Sequence, residues 1–165
     1  MPFDAFLKID TIPGECTDDK HKDWIEILSY SWGISQPGGG SRSTAGAASA
    51  QRCDHQDFSV VKVLDKATAK FFLACCKGEH LKSVKVFLHR ATGDKQKYMA
   101  YEMSDVLVTS FRPGGSAHGG ETLPLEEVSF NYGKIELTYT ETDHATGKAK
   151  GDVKSNWSVV ENKGS

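Results

Sequence analysis

The stretch Trp24–Asp54, WIEILSYSWGISQPGGGSRSTAGAASAQRCD, decides the fold. Its first part, Trp24 to Ser35, is rich in aromatic and β-branched residues and reads as a strand. At period two, Trp24, Leu28, Tyr30, Trp32 and Ile34 share one face. Ser29, Ser31 and Gly33 make the second half of the other face small and polar. From residue 36 to residue 52 the composition turns to Gly, Ser, Ala and Thr, with Pro37 at the point of departure. Compact domains rarely leave more than about 12–15 residues without structure unless the segment has a function or is disordered. The chain therefore reads as a strand-rich body carrying an extended loop over 36–52.

The pattern around that stretch is also strand-like. Ala5 to Ile12 alternates Phe6, Lys8 and Asp10 with Leu7 and Ile9, predicting a first strand with one buried face, closed by Pro13-Gly14. Phe58 to Leu64 is nearly continuously apolar, as in a strand covered on both sides. Asp65 can then cap a helix. Ala69, Phe72, Leu73 and Cys76 follow at i, i+3, i+4 and i+7 as its predicted apolar stripe, and Gly78 stands where a left-handed terminator is wanted.

Further along, Val84, Val86 and Leu88 alternate with Lys85 and His89, and a long run leads from Tyr98 to Phe111. Two slips in apolar phase, at Ser104-Asp105 and at Gly133, predict bulges or bends in strands that change face. Long bent strands of this kind suit a closed barrel or two sheets sharing strands. The fold expected is mainly β, one domain over 1–165 with a flexible tail in its last few residues. One short helix covers one side of the sheets.

A chain of 165 residues is long enough to bury a core without disulfides or metal. Twenty basic and twenty-two acidic residues give a formal net charge of −2, and no Lys/Arg cluster marks a nucleic-acid or lipid surface. The start, MPFDAFLKID, lacks a charged region followed by an apolar run, so synthesis in the cytosol without general secretory export is expected. No apolar run has the length of a membrane span. Cys16, Cys53, Cys75 and Cys76 show no CxxC spacing and fit a reduced compartment.

Candidate chemistry is sparse. Pro37-Gly38-Gly39-Gly40-Ser41-Arg42-Ser43-Thr44 looks like a phosphate loop but lacks the G-x4-G-K-[ST] spacing and a following helix. Cys53, His55 and Asp57 would share one face of a strand, a geometry that suits a metal, yet no fourth ligand has recognisable spacing. His21, His80, His89, His118 and His144 lie in polar contexts and are expected to face solvent. Cys75 and Cys76 fall mid-helix, away from the N-terminus that would activate a thiolate, and read as small core residues. No G-x-S-x-G elbow is present. No catalytic residue, metal or cofactor is assigned.

Several motifs, taken in order, resemble the haemolysin co-regulated protein (Hcp) family, the tube protein of type VI secretion systems. They are Phe6-Leu7-Lys8-Ile9, Gly14-Glu15, His21 before Ile25-Glu26-Ile27-Leu28, and Ser31-Trp32-Gly33. Asp65-Lys66-Ala67-Thr68 leading to Phe72-Leu73-Ala74-Cys75, then Val106 to Ser110, Val128-Ser129-Phe130, Trp157 and Asn162 complete the set. Tyr30-Ser31-Trp32 stands where members often have Trp-Ser-Trp, and Thr109-Ser110 where two serines are common.

The resemblance implies a small β-barrel of two sheets flanked by one short α-helix, which assembles into a hexameric ring. Rings stack head to tail into a hollow tube, and a contractile sheath drives the tube out with its spike. It also implies that small effector proteins ride in the lumen, which the position of Ser31 faces, with Ser29 beside it. Tyr30, Trp32 and Trp157 become core anchors, and Gly38 to Thr44 a ring-stacking loop. The expected partners are other copies of the chain, sheath, spike and effectors, with no nucleic acid and no membrane insertion. The protein would be cytoplasmic before firing and extracellular, or inside a target cell, afterwards. Two other readings stand beside this one: a ligand-binding barrel acting as monomer or dimer, and a hydrolase built on Cys53, His55 and Asp57.

Overall fold

The computed structural model describes residues 3–37, 52–91, 96–118, 123–143 and 145–165. The loop Gly38, Gly39, Gly40, Ser41, Arg42, Ser43 and Thr44 lies outside these residues. Among the described residues, eleven strands and one helix follow one another as β1 (Phe3–Lys8), β2 (Ile25–Ile27), β3 (Ser29–Ser31), β4 (Ile34–Ser35), β5 (Asp54–His55), β6 (Phe58–Val63), α1 (Thr68–Lys77), β7 (His80–Arg90), β8 (Lys97–Gly114), β9 (Leu125–Thr142), β10 (Ala149–Ser158) and β11 (Lys163–Gly164). The fold is mainly β, as the alternation predicts.

All paired strands are antiparallel, and the main sheet runs β11-β10-β9-β8-β7-β1-β2, with β6 branching from β9 and β3 pairing β6. The hydrogen-bonded order does not close on itself, which corrects the expected closed barrel. Of the two forms the long strands allow, the sheets share strands instead. β9 makes this possible, because its first half, Leu125–Phe130, pairs β6, while Lys134–Thr142 pairs β10.

The predicted strand Trp24–Ser35 is in fact three short pieces. β2 pairs β1, β3 pairs β6, and between them the Leu28 N–H donates to the Val61 carbonyl (2.7 Å). The hand-over shifts the inward phase. Ile25 and Ile27 are buried before it, Tyr30 and Trp32 pack on the core after it, and Leu28 and Ile34 are exposed, against the single-face reading. The first strand also differs. Leu7 faces the main core, but Phe6 is buried too, stacked on His21 (4.1 Å between centroids) with His89 edge-on (5.5 Å). His21 and His89 are therefore buried, not solvent-facing, because they roof the second face of β1 together with Trp24 and Phe87.

The two phase slips prove to be one feature. Ser104 pairs Lys134 and Val106 pairs Tyr132, so Asp105 sits opposite Gly133 with no residue inserted. Asp105 is left-handed (φ 53), which turns its strand's faces over. A Cβ on Gly133 would lie 3.2 Å from the Asp105 Cβ, so glycine allows the two backbones to bend together. Between β8 and β9 the register shift falls between Val108 and Ser110, at Thr109.

α1 ends as its sequence predicts. Gly78 is left-handed (φ 62, ψ 39), and the Glu79 N–H reaches back to the Ala74 carbonyl (3.1 Å). Its start and its buried face differ from expectation. Ala67 occupies the cap position, while the Asp65 carboxylate accepts the Ala67 N–H (2.9 Å). The stripe turned inward is Ala67, Phe71 and Ala74, with Phe71 against Phe130 (6.1 Å). The predicted stripe Ala69, Phe72, Leu73 and Cys76 is exposed. Phe71-Phe72-Leu73-Ala74-Cys75-Cys76 is apolar at every position, so periodicity alone leaves the phase of the helix open.

Beneath α1 lies a charged cluster inside the apolar core. Lys62, on a strand whose alternate residues Phe58 and Val60 are fully buried, has no exposed side-chain surface and pairs Glu126, which is likewise enclosed. Asp65 (2.9 Å), the Val63 carbonyl (3.1 Å) and the Phe71 ring (5.7 Å) complete the surroundings of its ammonium. Thr68 Oγ1 donates to Glu126 Oε1 (2.9 Å). The cluster ties β6, β9 and the helix entry together.

Candidate functional site

Where the loop departs and returns, β4 and β5 form a two-stranded ribbon, with Ile34 opposite His55 and Ser35 opposite Asp54. The ribbon, the second half of β9 and the end of β10 enclose a cleft of about 460 Å³. Trp32, Ile34, Ile135, Leu137 and Trp157 give it apolar walls, and Gln36, Cys53, His55, Ser155 and Asn156 add polar groups. Among the described residues, no acidic or basic side chain lines it apart from the imidazole.

That imidazole is part of a relay. Trp32 Nε1–H donates to the Tyr132 hydroxyl (2.7 Å), which lies 2.8 Å from His55 Nδ1. Because an indole N–H can only donate, the Tyr132 oxygen accepts from it, and the Tyr132 hydroxyl and His55 Nδ1 share the second hydrogen bond. Burial lowers the His55 pKa below its usual value, favouring the neutral imidazole, and burial pushes the Tyr132 phenol up to about 12. The described walls of the cleft suit an apolar group.

The structure separates Cys53, His55 and Asp57. The first two line the cleft, whereas Asp57 accepts from Thr109 Oγ1 (2.8 Å) and Asn131 Nδ2 (3.2 Å). Among the described residues, no three His, Cys, Asp or Glu side chains come together as a metal-binding group. All four cysteines are free thiols, with Cys16 buried and its pKa raised mainly by burial.

Ser29 and Ser31 are exposed on β3. Between them Tyr30 is half-buried, stacked on Phe58 (5.8 Å between centroids), and Trp32 beyond is half-buried against Phe58 and Tyr101 (6.3 and 5.9 Å). Trp157, also half-buried, belongs to the cleft wall. Sequence reasoning missed the cleft itself and the Trp32–Tyr132–His55 relay. Their only sequence signal is an aromatic and a histidine on opposite sides of the loop.

This geometry defines a class of protein before it defines a member. The fold is that of a type six secretion system protein of known structure, with a TM-score of 0.92 and 30% identity over 99% of this chain and 100% of that one. It is also that of Hcp1 from Salmonella typhimurium, at TM-score 0.78 and 28% identity over 99% of each chain. The model of the family described as "Type VI secretion system effector, Hcp" matches residues 6–139. Protein hcp1 of Pseudomonas aeruginosa (strain PAO1) is 34% identical over 163 residues, 98% of each chain. The chain belongs to the Hcp family of type VI secretion tube and effector proteins.

Proposed function

We propose that the chain, as one domain over 1–165, is a structural subunit of the inner tube. Six copies form a ring, and rings stack head to tail within a contractile sheath that expels the tube with its spike. Family membership across almost the whole chain carries this reading. The strand edges support it. Among the described residues, no strand pairs the outer edge of β10 from Ala149 to Ser155, and β3 pairs on one side only. Exposed edges are templates for other strands, and a ring hands them to neighbours through a head-to-tail contact that closes.

Ser29 and Ser31 face the lumen in this reading and present it with small polar side chains to effector cargo. The segment from Gly38 to Thr44 meets the next ring. The protein waits in the cytoplasm and leaves through the secretion machine. The direct test is to follow the chain in culture supernatant. It should accumulate when the contractile machinery is intact and stay with the cells when the sheath is disabled. Equal release in both cases would refute the role. Ser31→Gln should leave rings intact and lower the retention of a co-expressed effector, and unchanged retention would remove Ser31 from the lumen account.

A further inference from the structure

α1 turns an apolar face to solvent. Phe72 is 55% and Leu73 47% exposed, and Cys76, one turn beyond Phe72, is exposed beside them. Phe72 touches its own chain through the edge of Phe111 (ring centroids 6.3 Å). A surface helix normally keeps such residues inward and charged ones out, and clustered exposed apolar side chains mark contact surfaces.

Elsewhere the same chain carries the apolar-walled cleft between Trp32 and Trp157, at a scale of about 460 Å³ that accepts bulky apolar groups. Helix and cleft do not meet within one chain. On β9 the helix packs at Phe130, whereas Ile135 and Leu137 floor the cleft. At roughly 3.3 Å per residue, the five residues from Phe130 to Ile135 separate them by about 16 Å.

We propose that Phe72 and Leu73 of one copy seat in the Trp32–Trp157 cleft of the next, so that helix and cleft form the contact between neighbouring subunits. The inference rests on the ring reading above. A projecting apolar group and a complementary pocket on different surfaces of one chain can join copies head to tail, the geometry of rings and filaments. The chemistry matches on both sides. The helix face Ala69, Phe72, Leu73 and Cys76 is apolar, and among the described residues the cleft has no acidic or basic side chain apart from His55, whose neutral form burial favours.

Native thiols flank both surfaces, Cys53 in the cleft wall and Cys76 on the helix, so the contact is testable without engineering. Particles assembled from mixed isotope-labelled and unlabelled wild-type chains would be treated with a short bismaleimide, digested and read by mass spectrometry. The expected product is a Cys53–Cys76 crosslink, with mixed-label species showing that it joins two chains. Phe72→Glu should raise the concentration for half-assembly at least tenfold while the thermal transition of the isolated chain stays within a few degrees.

Assembled particles that lack the adduct, together with Phe72→Glu chains assembling like wild type, would overturn this contact and leave the ring standing. A Cys53 shielded in the particle but linked to another segment would give the cleft a different occupant and overturn it too. A chain monomeric by light scattering at every concentration would overturn both the contact and the ring.

Discussion

Removing Lys62 probes the least expected part of the fold. Lys62→Met keeps the length of the side chain but strips the counter-ion from Glu126, whose side chain has no exposed surface, and from Asp65, which is 12% exposed. Glu126 Oε2 already lacks a hydrogen-bond partner, so only the Thr68 hydroxyl on Oε1 would remain to hold the buried carboxylate. Breaking a fully buried pair from one side costs about 3–5 kcal/mol, because an uncompensated charge is left behind. For a chain of this length each kcal/mol lowers Tm by about 2–4 °C, so a drop on the order of 10 °C is expected at fixed protein concentration.

The double substitution Lys62→Met with Glu126→Leu should recover most of that loss, since replacing both partners by apolar groups of similar size is often neutral or better. Thermal and urea unfolding of the three proteins make the comparison. A single variant that loses less than about 1 kcal/mol, or a double variant no more stable than the single, would refute the view that Lys62 and Glu126 act as a coupled buried pair.

Other outcomes follow from individual residues. Tyr132→Phe leaves the Trp32 N–H and His55 Nδ1 without their shared partner and should cost about 1–3 kcal/mol in urea unfolding. Burial depresses the folded-state pKa of His55, so below pH 6.5 the unfolded chain takes up a proton that the folded chain refuses. Its contribution is whole above pH 6.5 and falls away as pH drops toward the lowered value, and His55→Asn should flatten stability against pH in that window. Asp105→Val forces a β-branched residue into a left-handed position and should cost at least about 1–2 kcal/mol, while Asp105→Gly relieves the backbone there. Gly14→Ala would drive a methyl into the Trp24 carbonyl and the Ile25 side chain, and should lower Tm and weaken the packing of His21 on Phe6. Deleting Gly38 to Ser49 should spare the ring and weaken stacking, as read by filament length in crowded solution.

The sequence made legible what depends on local pattern. β6 and β7 appear where alternation or a continuous apolar run puts them, and Gly78 terminates α1 because a left-handed position favours a residue without a Cβ. What depends on the partner was not legible. The strand through Leu28 breaks because β1 holds one end and β6 the other, and no periodicity carries that information. Lys62 sits in an apolar run whose alternation gives no sign of Glu126, sixty-four positions away. His21 and His89 look polar in sequence but are covered because β1 needs a lid on its second face. The candidate site divides the same way. Ser29 and Ser31 were readable as exposed strand residues, whereas the cleft arises only when the two roots of the loop meet β9 and β10.

The central claim is that this 18.0 kDa chain works as a ring of six. Size exclusion coupled to light scattering measures it most directly, with negative-stain images of the same fractions. The account predicts a particle with the mass of six chains and an open centre. A chain that stays monomeric or dimeric at high micromolar concentration would contradict it.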